Sequence, residues 1–288
     1  MPKPVLVVAL VLAWPAAARG QVEYGTDLTW ATSYRWRGLP RHEGHVFQGA
    51  AFVSMSASPG DATRLSATTG AWASLALARP DSTRSYGAPA GVTETNGWLE
   101  LAFASRPLDA ALGATAYLGR ERRTPPPVGP PDEREWYLRV ESLDLPLFVP
   151  RVLYVRGLDT DDTYLEAALL LRVPVWNRVA IPAGSLTVGA AMGLARGASG
   201  APAAYARNGV THWELSATAP IGWLPVTLPG VALDLAIVAD YRLTRAVDPA
   251  TARRPDGTLD IVRHRFALTL TLLGPRCRPT RAVCDPPR

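Results

Sequence analysis

Ionisable residues in this chain recur at every second position. Glu23, Asp27, Arg35 and Arg37 share one parity near the start. Glu135, Arg139 and Glu141 do so further on, as do Glu166 and Arg172, His212 and Glu214, Asp234, Asp240 and Arg242, and finally Arg263 and Arg265; Glu100 lies on the segment 94–105. An extended chain sends successive side chains to opposite faces, so this spacing gathers carboxylates and guanidiniums on one side. Burying such groups unpaired is prohibitive, so the face they share is hydrated, ion-paired, or both. If it lines a hydrated lumen, small polar solutes pass with weak charge preference. If the ion pairs close, the same residues plug a narrow barrel. Residue types and spacing leave both readings open.

Other chemistry finds little support. His212, Glu214 and Ser216 share a face, but residues four apart on a strand are separated by about 13 Å, too far for a direct His–Ser bond. A catalytic His212 would need partners from other strands; as a single residue it reads as a hydrogen-bonding group on the inner face. His42 and His45 lie close in sequence but lack the carboxylate or thiolate company of a metal site. Asp159-Thr160-Asp161-Asp162 has neither the spacing nor the glycine of a calcium loop and reads as a solvated turn. There is no phosphate-cradling glycine loop, no G-x-S-x-G and no nucleic-acid motif. The chain is therefore read as a non-enzyme with no catalytic residue, no metal and no cofactor. Cys277 and Cys284, in a Pro- and Arg-rich tail, read as one disulfide closing a small loop.

The elements that must carry the charged face are strands. Over residues 22–37 the even positions Tyr24, Thr26, Leu28, Trp30, Thr32, Tyr34 and Trp36 form an aromatic and apolar face, against small, polar and charged odd positions. No helical period fits. The same alternation predicts further strands over 45–57, 63–78, 94–105, 108–120, 134–143, 151–158, 163–173, 185–195, 209–219 and 231–243, and a last one ending near Leu272. Residues 38–44 read as a loop, and 174–184 and 220–230 as long Pro-flanked connections or strand extensions. This predicts an all-β fold, a transmembrane antiparallel β-barrel of about twelve strands, with aromatics banding the outside and polar groups inside. Long polar connections alternate with short ones, as expected with long loops at the outer surface. A periplasmic β-sandwich also alternates, but it explains neither the aromatic-banded faces nor the loop asymmetry.

Residues 1–20 read as a cleaved signal peptide: Lys3, an apolar run from Val5 to Trp14, then small residues to Gly20. The barrel is expected over 21–273 and the tail over 274–288. Lys3 is the only lysine, and losing it with Arg19 lowers the formal charge from +5 to +3. That is too mild a charge for a nucleic-acid partner. The expected partners are outer-membrane lipid and small polar solutes, and the expected location is the outer membrane of a Gram-negative bacterium. Oligomeric state cannot be read.

The segment Ser33-Tyr34-Arg35-Trp36-Arg37-Gly38, followed by Phe47-Gln48-Gly49, resembles the N-terminal signature of an uncharacterised proteobacterial outer-membrane family (Gcw-chp type). The signature positions here are Tyr34, Arg35, Trp36, Arg37, Gly38, Gln48 and Gly49. Trp98-Leu99-Glu100 and Tyr164-Leu165-Glu166 are looser echoes. The resemblance implies an outer-membrane barrel with no established substrate or catalytic residue. The chain departs from the usual pattern in its cysteine-bearing tail, which lacks a terminal aromatic; the assembly signal is then internal, at 264–272.

Overall fold

The computed structural model describes residues 21–37, 39–60, 63–77, 91–120, 134–142, 147–159, 161–174, 185–197, 208–228, 231–247, 261–274, 276–277 and 284–285. Twelve long strands follow one another: β1 (Gln21–Trp36), β2 (Leu39–Gly60), β3 (Thr63–Ala76), β4 (Gly91–Ser105), β5 (Leu108–Arg120), β6 (Arg134–Ser142), β7 (Phe148–Gly157), β8 (Thr163–Pro174), β9 (Ser185–Arg196), β10 (Gly209–Leu228), β11 (Val231–Ala246) and β12 (Val262–Leu273). Each pairs antiparallel with the next, and β12 pairs back onto β1 from Gly25↔Leu273 to Ala31↔Ala267, closing the sheet. Closure leaves no long edge strand unpaired. A two-residue pair, β13 (Arg276–Cys277) and β14 (Cys284–Asp285), attaches to β1 at Val22↔Cys277.

The outward face is apolar. Leu28, Phe47, Val53, Leu75, Leu101, Phe103, Leu112, Leu138, Val152, Leu165, Leu169, Val188, Leu215, Phe266 and Leu268 are all exposed, and they come from strands all the way round. Water would penalise such a continuous belt, whereas hydrocarbon does not. The polar face points inward. This is the inverse of a soluble β-sandwich and defines a transmembrane barrel. Strand direction puts the connections 37–38, 77–90, 121–133, 158–162, 197–208 and 247–261 at one end and 61–62, 106–107, 143–147, 175–184 and 229–230 at the other, so the four longest share an end.

Several expectations are corrected. Residues 39–44, expected as loop, belong to β2, which pairs with β1 up to Trp36↔Leu39 through register shifts after Ala31 and after Tyr34. Such irregularities bend a strand and re-aim its side chains. Tyr34, expected on the outer face, is accordingly inside, 8% exposed and packed with Ala31, Val46 and Trp72. Thr211, also expected outside, is buried next to a second irregularity between Val210 and His212, bonding the carbonyl of Gly193 and Nδ1 of His212. Of the two readings left open for 220–230, the strand extension holds: β10 continues to Leu228 and pairs with β11 past Pro225↔Asp234.

Candidate functional site

The interior is assembled from alternate residues of every wall, and it has two distinct sides. Along β7, β8 and β10–β12 the inward groups are charged and paired. Arg151 donates to Glu166 (3.0 Å), which also accepts from Tyr164 (2.9 Å). Arg242 bridges Glu214 (3.1 Å) and Asp240 (2.9 Å), and Arg265 reaches the same Asp240 at 3.0 Å. Thr218 and Thr244 donate to Asp240 and Glu214. Each carboxylate thus has more than one donor, which is what a desolvated ion pair requires.

Along β3–β6 four aromatic rings point inward beside Glu94, Glu100, Glu135 and Arg139. Trp72, Trp98, Tyr117 and Tyr137 face Tyr34 of β1 around a cavity of about 390 Å³. Two glycines let rings lie flat on this wall. Gly70 is in register with Trp98, and a Cβ there would meet the indole at 2.5 Å. Gly113 is in register with Tyr137, and a Cβ there would collide with the phenol ring. The three phenols of the wall each donate to a carboxylate: Tyr34 to Glu94 (3.2 Å), Tyr117 to Glu135 (2.9 Å) and Tyr137 to Glu100 (2.8 Å).

The two sides meet through Arg37. The turn after β1 holds it at φ 50°, outside the extended region that strand alternation requires. Its guanidinium crosses the interior to Glu135 at the start of β6, and lies 5.4 Å over the Tyr164 ring of β8. Glu135 is 4% exposed. One side chain therefore joins the end of β1 to β6 and β8 on the other side of the barrel.

The remaining expected residues distribute as follows. Asp27 accepts from Thr271 at 2.6 Å on the inner face. Arg35 donates to the His264 carbonyl on β12. Arg139 donates to Glu100 at 3.4 Å, and Glu141 is in register with Arg151. Glu23 and Arg172 lie on the inward parity near the end where β1 begins, and Arg263 is buried opposite Thr244. The side chain of Asp234 and the residues Trp36, Gly38, Cys277 and Cys284 fall outside the described side chains, although Cys277 and Cys284 are in backbone register. Gln48 is buried and Gly49 lies in β2.

The weighed chemistries do not assemble. His212 is stacked on Tyr164 and bonded to Thr211. His42 is buried while His45 stacks on Trp30 at the outer surface, so the two imidazoles diverge. Asp159 takes Arg134 and Asp161 takes Arg156, which makes this turn a pair of surface ion pairs. Among the described residues no cluster of three or more metal-ligating side chains occurs.

A closed twelve-strand barrel, apolar outside and ionisable inside, belongs to the class of transmembrane β-barrels. No family model and no curated protein matches the chain. Among solved structures, an outer membrane channel from Pseudomonas putida F1 is similar over 88% of this chain and 95% of its own, at 11% identity and a TM-score of 0.44. The beta domain of the Bordetella autotransporter BrkA is similar over 89% and 99%, at 12% identity and a TM-score of 0.36. Pseudomonas aeruginosa OccK11 (OpdR) is similar over 88% and 95%, at 10% identity and 0.32. Likenesses this distant say nothing about what this chain binds or does.

Proposed function

We propose that the chain is an outer-membrane channel for small polar solutes, entered past the Arg37–Glu135 contact. The observation that carries the reading is the pairing of an apolar belt outside with ionisable groups of both signs inside. A hydrated path needs a polar lining, which this interior supplies. The proposal includes export through a cleaved leader over 1–20, membership of the family that residues 33–49 resemble, and a Cys277–Cys284 disulfide. N-terminal sequencing and mass spectrometry with and without reductant check the first and third.

The test is planar-bilayer recording of the mature chain beside Arg37→Ala. Open-channel current that increases in the variant supports the reading. Silence from both proteins, with the barrel folded and heat-modifiable on gels, overturns it. Silence would favour a second reading, a plugged barrel whose loops contact partners at the cell surface. The specific observation on that side is the Arg37 bridge itself, which spans the interior from β1 to β6.

A further inference from the structure

We infer that the aromatic wall of the barrel is a binding site for small organic cations of the ammonium class, with choline as the simplest probe. The cavity there is bounded by five rings, from Tyr34, Trp72, Trp98, Tyr117 and Tyr137. Its polar lining is Glu94, Asn96 and Thr115, and among the described residues no Arg, Lys or His lines it. Ring faces attract cations through the aromatic quadrupole, and clusters of rings suit quaternary ammonium groups. At about 390 Å³ the cavity is within the range of small-molecule sites.

Hydrogen-bond direction bears on the choice between this ligand class and a neutral sugar. The protons of Tyr34, Tyr117 and Tyr137 all point to carboxylates, so the phenols offer the cavity electron-rich rings and lone pairs, and Asn96, Thr115 and the two indoles are the donors that remain. A phenol donating to a carboxylate is also a better partner for a cation, because the bond shifts electron density into the ring. Two of those carboxylates have a guanidinium behind them, Arg37 at Glu135 and Arg139 at Glu100, while Glu94 lines the cavity itself. The lining is thus rich in acceptors and π faces. Gly70 and Gly113 are the built part of the site, since a side chain at either would displace the ring lying over it.

The inference names a solute class for the channel reading and to that extent rests on it, but binding to the cage does not need conduction, so the two are separable. The full mature chain, folded in detergent, is titrated calorimetrically with choline chloride against a matched sodium chloride background, then with maltose and with sodium acetate. Saturable choline binding is expected, weakened roughly tenfold in Trp98→Ala and in Glu94→Gln, with maltose and acetate silent. If Trp98→Ala does not fold, as judged by heat-modifiability, Trp72→Phe and Glu94→Gln keep the shape of the wall and the test stands on them. Binding of maltose or acetate in place of choline overturns the inference, as does choline binding that none of these variants weakens. Bilayer recordings run in parallel: choline binding without any conductance leaves the cage and removes the channel, and conductance without choline binding removes the cage alone.

Discussion

The bridge from Arg37 to Glu135 should behave as one thermodynamic unit. Relative side-chain exposures are 15% for Arg37 and 5% for Glu135, so neither charge is well solvated. Breaking a buried ion pair from one side costs about 3–5 kcal/mol when the remaining charge is stranded. Glu135 is not stranded entirely, because Tyr117 still donates to it at 2.9 Å. A charge-assisted bond of that kind recovers roughly 1.5–3 kcal/mol. Arg37→Ala is therefore expected to cost about 1–3 kcal/mol, with Glu135→Gln nearer the lower end since its amide still accepts from Tyr117. A double-mutant cycle, read by urea unfolding from lipid vesicles, should give a coupling of about 1–2 kcal/mol. Arg37→Lys should retain only part of it, because an ammonium loses the planar stacking over Tyr164. A coupling within about 0.3–0.5 kcal/mol of zero, the scatter for independent sites, would mean that water separates the two charges and the interior is not bridged at this level.

Two further outcomes test the barrel and its aromatic wall. Leu112, 52% exposed on the outer face of β5, contributes to the apolar belt, so Leu112→Arg should destabilise the folded barrel in lipid by about 2–4 kcal/mol. A cost under about 0.5 kcal/mol in vesicle unfolding would place that position outside hydrocarbon, since surface changes in water are of that size. Gly113→Ala forces Tyr137 off the wall and away from Glu100, so it should cost about 1–3 kcal/mol and weaken choline binding together. Stability lost with choline affinity intact would detach Tyr137 from the cage.

Strand positions were legible because lipid enforces alternation more strictly than an aqueous surface does. β5 runs over Leu108–Arg120 as the pattern requires, and most other strands end within a few residues of it. The misreadings cluster where alternation is suspended. Around Tyr34, irregular pairing turns an aromatic inward, and nothing in the order Thr32-Ser33-Tyr34-Arg35 announces it. β10 runs on through Pro220 and Pro225, although proline ordinarily demotes a strand. Pairing partners were the larger gap. That Arg37 meets Glu135, 98 residues away, follows only from barrel closure and the turn that frees Arg37 from its strand. The aromatic wall carries a signal of its own: a glycine in register with a ring on the next strand, Gly70 with Trp98 and Gly113 with Tyr137, marks aromatics that lie flat inside instead of banding the outside.

The interior network also constrains what kind of selectivity the barrel can have. Glu135 has Arg37, Glu100 has Arg139, Glu166 has Arg151, Glu214 has Arg242, and Asp240 has Arg265. Paired in this way, these charges cancel beyond a few ångströms and add little to the field along the axis. Discrimination must then come from contact, which the aromatic wall offers and the paired wall does not. In asymmetric potassium chloride the reversal potential of the native channel should therefore lie near zero. Arg37→Ala removes one cation and leaves Glu135 exposed to the path, so the potential should move in the direction of cation preference, and Glu135→Gln should move it the opposite way. A strongly ion-selective native channel, or shifts of the same sign in both variants, would mean that unpaired charge elsewhere governs the path and that the Arg37 bridge does not stand in it.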